Sequence, residues 1–431
     1  MHRNGLVQRL HRVAARPIPL PPMAHPAPSD SFSPGRRVEL IALFGLLTVF
    51  TPIAIDMYLP ALPTIARQFH VPIAAIEHSL AAYFLGLAVG QAAIGPLSDR
   101  FGRKRPLCIG MALYVIGSAA CALARDPMTL NIARFVQATG GCTGTVLARA
   151  CVRDLFPPEQ ASRIFAQMLL ILSVSPLFAP LLGGWLLLVT GWRTLFWIQG
   201  GAALLTLGVM MLRIPESHAG SERTLHPFAV ARDYLVIAGD RRFIGYILSL
   251  TLSGCGLYVF LTGFPHVVID IFHIQAQYFG FLFMLNGIGL VISSQVTAQM
   301  LHHRPAGRLL LAALGVQAAA GVGAVVFGAT GWGGIYGLEP WLFVFCSLIG
   351  AINPTAAGLA LAGYGHAAGM ASALMGLFIY AGGTLASLLM GAFQPSTPLP
   401  MAALMCLFGA SGLLTNLLFY PVRRKHPPHL P

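Results

Sequence analysis

The sequence predicts an all-α membrane protein with twelve transmembrane helices in two six-helix bundles, and three observations lead there. Only 10% of the 431 residues are charged, against about 25% in soluble domains. The apolar residues, 56% of the chain with a mean hydropathy of +0.72, fall in runs that reach the roughly 20 residues a helix needs to cross a bilayer. A charged stretch divides the runs into two sets of six.

The first six spans are read at 38–60, 72–95, 106–125, 127–150, 162–189 and 193–213. The second six cover 243–264, 276–299, 307–328, 338–361, 367–392 and 399–421. Hydrocarbon offers backbone N–H and C=O groups no partner, so runs of this kind must be helical. The domains follow: a disordered cytoplasmic tail 1–37, a first bundle 38–214, a cytoplasmic linker 215–242, a second bundle 243–421 and a cytoplasmic tail 422–431. The linker holds Glu216, Glu222, Arg223, Arg232, Asp233, Asp240, Arg241 and Arg242, too much charge for the membrane core. The tail 1–37 is rich in Arg, Pro and His and too interrupted for a signal-peptide core, and Met23 offers an alternative start.

A net charge of +13 raises the question of nucleic acid, and its distribution answers it. With a cytoplasmic N-terminus, every Lys and Arg except Arg67, Arg125, Arg134 and Arg193 lies in a tail, an inner loop or an inner helix end. That asymmetry is the positive-inside pattern, which sets both termini in the cytoplasm and leaves no case for a nucleic-acid partner. The seven cysteines lie in or beside apolar runs without CxxC spacing, so neither a disulfide framework nor a metal site is expected. No cofactor is expected either: a nucleotide-binding GxxxxGK[ST] loop and an HExxH pair are both absent from the sequence. These absences weigh against an ATP-driven pump and a membrane enzyme, and nothing resembles a channel filter.

A weak internal echo supports duplication: GPLSDRFGRKRP (95–106) and QMLHHRPAGR (299–308) both join a second helix to a third, the later copy without the aspartate. Two such halves around a midplane cavity suit alternating access. Gly86 with Gly90, and Gly140 with Gly144, are small-xxx-small pairs that let helix backbones approach. Pro176, Pro180, Gly183 and Gly184 cluster in the fifth span, where they kink a helix or thin its face.

Several of these stretches resemble a known family. GPLSDRFGRKRP is similar to the loop motif between helices 2 and 3 of the major facilitator superfamily. RFVQATGGCTG (134–144) is similar to its fourth-helix motif, and SPLFAPLLGG (175–184) to the fifth-helix motif of its antiporters. IDMYLPALP (55–63) and ARACVRDLF (148–156) narrow the resemblance to the Bcr/CflA group of drug:proton antiporters. The specific motifs all lie within 55–184, while the layout extends over all twelve spans. The resemblance implies a bacterial inner-membrane exporter, with protons and a small molecule as its partners beside the lipid bilayer. A monomer is expected.

Candidate site residues follow from depth and chemistry. Asp56 lies about 18 residues into the first span, where an aspartate costs on the order of 2.5–3.5 kcal/mol unless it faces a cavity or is neutralised. A carboxyl that gains and loses a proton as its surroundings change is what antiport needs. The plainer alternative is a polar group near the helix end at Pro60 and Pro63. Arg134, about seven residues into the inward-running fourth span, has a similar depth and keeps its charge, so the two are paired as the proton-coupling site. The alternative for Arg134 is an arginine that pins its helix to neighbouring carbonyls.

Asp99, in the basic loop after span 2, is expected to cap the eleventh helix near Gly369, with Arg103 bridging it to Asp154 as a conformational latch. Arg149 and Arg153 suit a helix C-terminus. Asp126 before Pro127, and Glu339 before Pro340, read as N-caps. Glu77 and His78 are placed at the outer interface, no histidine is given a proton-relay role, and the second half is read as lacking acidic residues within its spans. The resemblance puts the substrate between the halves, with Tyr58, Gln137, Tyr258, Asn286, Asn353 and Tyr380 as cavity candidates; packing is the alternative for each. The chemistry suits lipophilic neutral or cationic compounds, and a metabolite such as a sugar, amino acid or nucleoside is the other cargo.

Overall fold

Every apolar run becomes a helix, and most helices extend a few residues beyond it. A computed structural model describes residues 33–217, 227–364, 368–393 and 396–424; Glu222, Arg223 and most of both tails lie outside the described residues. The first span is bent. Helix α1 (Pro34–Asp56) gives way to a 3₁₀ turn (Leu59–Ala61) and then α2 (Leu62–Phe69), with Pro63 in the first turn of α2. Proline there loses no hydrogen bond, so the Pro60/Pro63 pair read as an ending is instead a joint.

The rest of the first half is α3 (Ile73–Phe101), α4 (Lys104–Leu123), α5 (Pro127–Leu155), α6 (Pro158–Val189) and α7 (Trp192–Arg213). The second half follows a short helix α8 (Pro227–Ala238), in a stretch with no expected span. It comprises α9 (Arg241–His266) with a π turn (Val267–Ile271), α10 (Ala276–Met300), α11 (Ala306–Thr330), α12 (Gly334–Leu361), α13 (Ala368–Gly391) and α14 (Leu399–Arg424). Eleven helices among the described residues are long and apolar enough to cross a membrane. The remaining long helix, α5, has 29 residues and spans the bundle too, but its buried Arg134 and Gln137 lower its hydropathy. The fold is thus the twelve-span, all-α arrangement predicted.

Asp126 caps α5 as expected: its carboxylate accepts from the Thr129 amide at 2.9 Å, which holds that carboxyl below the usual aspartate range. Glu339 is no cap. Helix α12 begins five residues earlier, after a reversal built on left-handed Gly331 and Gly333, so Glu339 lies inside the helix and is only 7% exposed.

The small residues bring backbones together as their spacing predicts. A methyl on Gly86 would overlap the Phe135 carbonyl of α5, one on Gly140 the Gly110 carbonyl of α4, and one on Gly144 the Leu47 carbonyl of α1. Helix α5 is thereby clamped by three neighbours. Between the halves, α3 packs along α13 and α6 along α10.

The distribution of buried apolar side chains defines the conformation. One cluster fills the first half and continues through Val259, Phe260, Phe264, Phe279 and Phe283 of the second, toward the end away from the basic loops. A separate cluster around Phe243, Tyr246, Ile247, Leu314 and Ile352 occupies the basic end of the second half. The halves therefore share a continuous core at the non-basic end and divide at the basic end.

Candidate functional site

Asp56 ends α1 at the bend of the first span. It is 5% exposed and its Oδ2 has no partner. Arg134, wholly buried on α5, does not form the ion pair with Asp56 that their common depth allowed; among the described residues no salt bridge joins them. Its Nη1 instead donates to the Ala54 carbonyl at 3.0 Å and to Gln137 Oε1 at 2.7 Å. The guanidinium lies 4.1 Å from the Tyr83 ring centroid and 4.5 Å from that of Tyr58, with Phe196 beyond at 5.7 Å. Cation–π contacts of this desolvated kind are worth about 2 kcal/mol or more. The arginine thus holds the α1 backbone two residues before Asp56, the pinning geometry.

Gln137 and Tyr58 belong to the same packed interior. The Gln137 amide donates to Ser118 Oγ at 2.9 Å and to Gln199 Oε1 at 3.1 Å. The Tyr58 hydroxyl shares a 2.7 Å hydrogen bond with Ser79. Both side chains are 0% exposed, so in this conformation they support the site from behind. Asn286 is engaged as well, donating to Glu339 Oε1 at 2.6 Å and to the Leu282 carbonyl at 3.0 Å. Tyr258 and Tyr380 are half-buried, and Asn353 is exposed on α12. Tyr258 meets Phe84 edge-on at 4.6 Å, an aromatic contact between the halves.

At the basic end Arg103 gathers its expected partners. Its Nη1 donates to Asp99 at 2.7 Å and Ser98 at 2.6 Å, its Nε to Asp154 at 2.9 Å, and its backbone amide to Glu216 at 2.7 Å. Among the described residues Asp99 bonds Arg103 and not the start of the eleventh helix, whose approach at 365–367 lies outside the described residues. A carboxylate one turn from Arg103 finds its partner locally, through Oδ1. Pro176, Pro180, Gly183 and Gly184 all lie within α6; Gly183 abuts the Met57 carbonyl of the first half and Gly184 the Ala276 carbonyl of the second.

Sequence reasoning missed two buried carboxyls. Glu77, assigned to the interface, is 0% exposed on α3, and both its oxygens lack a partner. Glu339, mistaken for a cap, gives the second half an acidic residue inside a span. Neither direction was legible, because hydropathy reports depth along a helix and not the side on which a residue emerges.

The comparisons match this architecture. The family model described as Major Facilitator Superfamily matches residues 44–387. The chain is 31% identical over 386 residues to the uncharacterized MFS-type transporter YdgK of Bacillus subtilis (strain 168), covering 88% of this chain and 94% of the relative. It is 27% identical to a bicyclomycin resistance protein homolog of Haemophilus influenzae, covering 88% and 95%. A crystal structure of a D-xylose-proton symporter shares the fold, with a TM-score of 0.68 at 18% identity over 90% of this chain and 97% of that one. The chain belongs to the Major Facilitator Superfamily: it is a multi-pass membrane carrier, a secondary transporter with the alternating-access fold, and not an enzyme.

Proposed function

We propose that this carrier is a proton-coupled exporter of small drug-like molecules, a monomer of the Bcr/CflA type in a bacterial inner membrane. Its basic loops and termini face the cytoplasm, and its units 38–214 and 243–421 rock against each other. Asp56 carries the reading: a buried carboxyl without a partner at Oδ2, at the bend of the first span. Burying such a charge unpaired is costly, and binding a proton removes the charge and the cost together. A proton arriving from outside therefore competes with a lipophilic or cationic substrate, and its departure to the cytoplasm restores the negative site. Arg134 keeps its charge throughout and acts on Asp56 through the α1 backbone it grips. Arg103, held by Asp99 and Asp154, serves as the latch at the basic end; undiminished transport in Asp99→Arg would remove that role.

A second cargo reading keeps this machinery. A sugar, amino acid or nucleoside fits the hydroxyl and amide groups that Tyr258, Tyr380 and Asn353 offer, and the fold also serves a D-xylose-proton symporter. The export reading draws on the motifs of the first half and on the relative named for bicyclomycin resistance.

Antibiotic susceptibility of a pump-deficient bacterium expressing the protein separates the two. Export predicts raised tolerance to several unrelated compounds, lost in Asp56→Asn at equal expression and abolished by an uncoupler. Unchanged susceptibility to every compound favours the metabolite carrier, and tolerance that survives Asp56→Asn moves the coupling site elsewhere.

A further inference from the structure

Three ionisable side chains form a hydrogen-bonded chain at the non-basic surface, on the side of the bundle where Glu77 is buried. His266, at the end of α9, shares a 2.9 Å hydrogen bond from its Nδ1 to Asp270 Oδ2, and Asp270 Oδ1 accepts from Arg67 Nη1 of the first half at 3.2 Å. His266 of the second half shares a cleft with Ile73, which precedes Glu77 on α3 of the first half. Arg67, His266 and Asp270 line this open cleft of about 530 Å³ together with His70, Val71 and Ile73. Ile73 stands one helical turn before Glu77 on the same face of α3, so Glu77 lies one turn further along the helix that edges the cleft.

We propose that Glu77 is a second proton-carrying carboxyl, loaded from this cleft through Asp270 and His266. The inference rests on the proton-coupled reading above and adds a site to it. One proton enters and turns the Glu77 carboxylate into a carboxylic acid, while His266 and Asp270 end as they began. In the closed arrangement both Glu77 oxygens are shut away without a donor, which a charged carboxylate tolerates badly. Parting α3 from α9 would bring water to it and permit ionisation. Protonation and closure of this end therefore favour each other.

The remaining surroundings leave His266 and His70, both in the cleft, as the imidazoles on the loading side of Glu77. Helix α13, packed along α3, carries no charged residue between Gly369 and Gly391. Helix α5 presents Arg134, which is turned onto Tyr58 and Tyr83. The charges of α4, Lys104 and Arg105, lie at the basic end. His78, the neighbour of Glu77, faces Gly391 of α13, and Arg67 of α2 is engaged by Asp270.

Spin labels at Met128→Cys and Tyr336→Cys, 65% and 88% exposed at the non-basic end, would report its closure in the full-length protein in lipid. Cys108 and Cys406, the two half-buried native thiols, are first replaced by serine. The label distance should shorten as the pH falls, and Glu77→Gln should hold the short distance at every pH. A pH response in Glu77→Gln equal to that of the parent overturns the proposal. If Glu77→Gln does not accumulate, Glu77→Asp carries the test: a displaced midpoint supports a titrating site, and an unmoved one overturns it. Asp56→Asn in the susceptibility assay separates the two readings, since loss of tolerance there beside an unaltered Glu77→Gln response rejects only the second site.

Discussion

The fourth and tenth spans hold the same place in their respective halves, and each buries a charge, but the two charges are housed differently. Arg134 on α5 has two aromatic faces. Its Nη1 has a backbone carbonyl and a glutamine that is itself anchored to Ser118 and Gln199, while Nε and Nη2 have the rings and no hydrogen-bond partner. Glu339 on α12 has one donor, Asn286, and its Oε2 has none. Protonation chemistry accounts for the contrast. A guanidinium cannot shed its charge inside a protein, so the fold must face it permanently with aromatic rings and with acceptors at Nη1. A carboxyl can become neutral by taking a proton, and one donor then suffices. The elaborate cage marks the fixed charge, and the sparse one marks the charge that is free to change.

Removing the fixed charge should produce the largest effect. Arg134→Ala strips the cation from two rings and orphans the Ala54 carbonyl and the Gln137 amide oxygen, with an expected loss of about 3 kcal/mol, read as a fall in the melting temperature of the detergent-solubilised protein. A loss below that of Asn286→Ala would break the comparison. Asn286→Ala comes next: it deprives Glu339 of its donor and should cost about 1–3 kcal/mol by the same measurement. Tyr83→Phe keeps the ring under Arg134 and loses only the 3.3 Å hydrogen bond to the Thr51 carbonyl, so about 0.5–1.5 kcal/mol is expected, with transport retained in uptake or efflux assays. Glu339→Gln should be the mildest, because the amide oxygen still accepts from Asn286 and no charge remains; its melting temperature should equal or exceed the parent's. A marked fall there would mean that the tenth span needs its negative charge as much as the fourth needs its positive one.

Much of the fold was legible because the bilayer imposes length and apolarity on every span, and all twelve predicted spans begin within four residues of the observed helix. The errors arose where local chemistry had two meanings. Pro63 signals a stop at the end of a helix and a start in the first turn of the next, and only the bend after Asp56 chooses between them. Glu339 before Pro340 resembles a cap until the glycine reversal at 331–334 is known to begin the helix. Within the candidate site, the partnership of Arg103 with Asp99 and Asp154 was readable because the motif confines all three to one end of the bundle. The pairing of Arg134 with Asp56 was not, because equal depth does not give equal direction: Arg134 emerges toward Tyr58, Tyr83 and the Ala54 carbonyl. Glu77 was lost for the same reason.

Gly183 and Gly184 are consecutive, yet one lies on the backbone of the first half at Met57 and the other on that of the second at Ala276. Helix α6 is therefore a shared rail, with bare main chain bearing on both parts at one level. Main chain is the part of a protein that mutation leaves unchanged, so a joint made this way keeps its fit while the surrounding side chains drift over evolutionary time. It also makes the carrier vulnerable at a single point. One methyl group at either glycine would work as a wedge in a door frame, jamming the movement without touching proton or cargo.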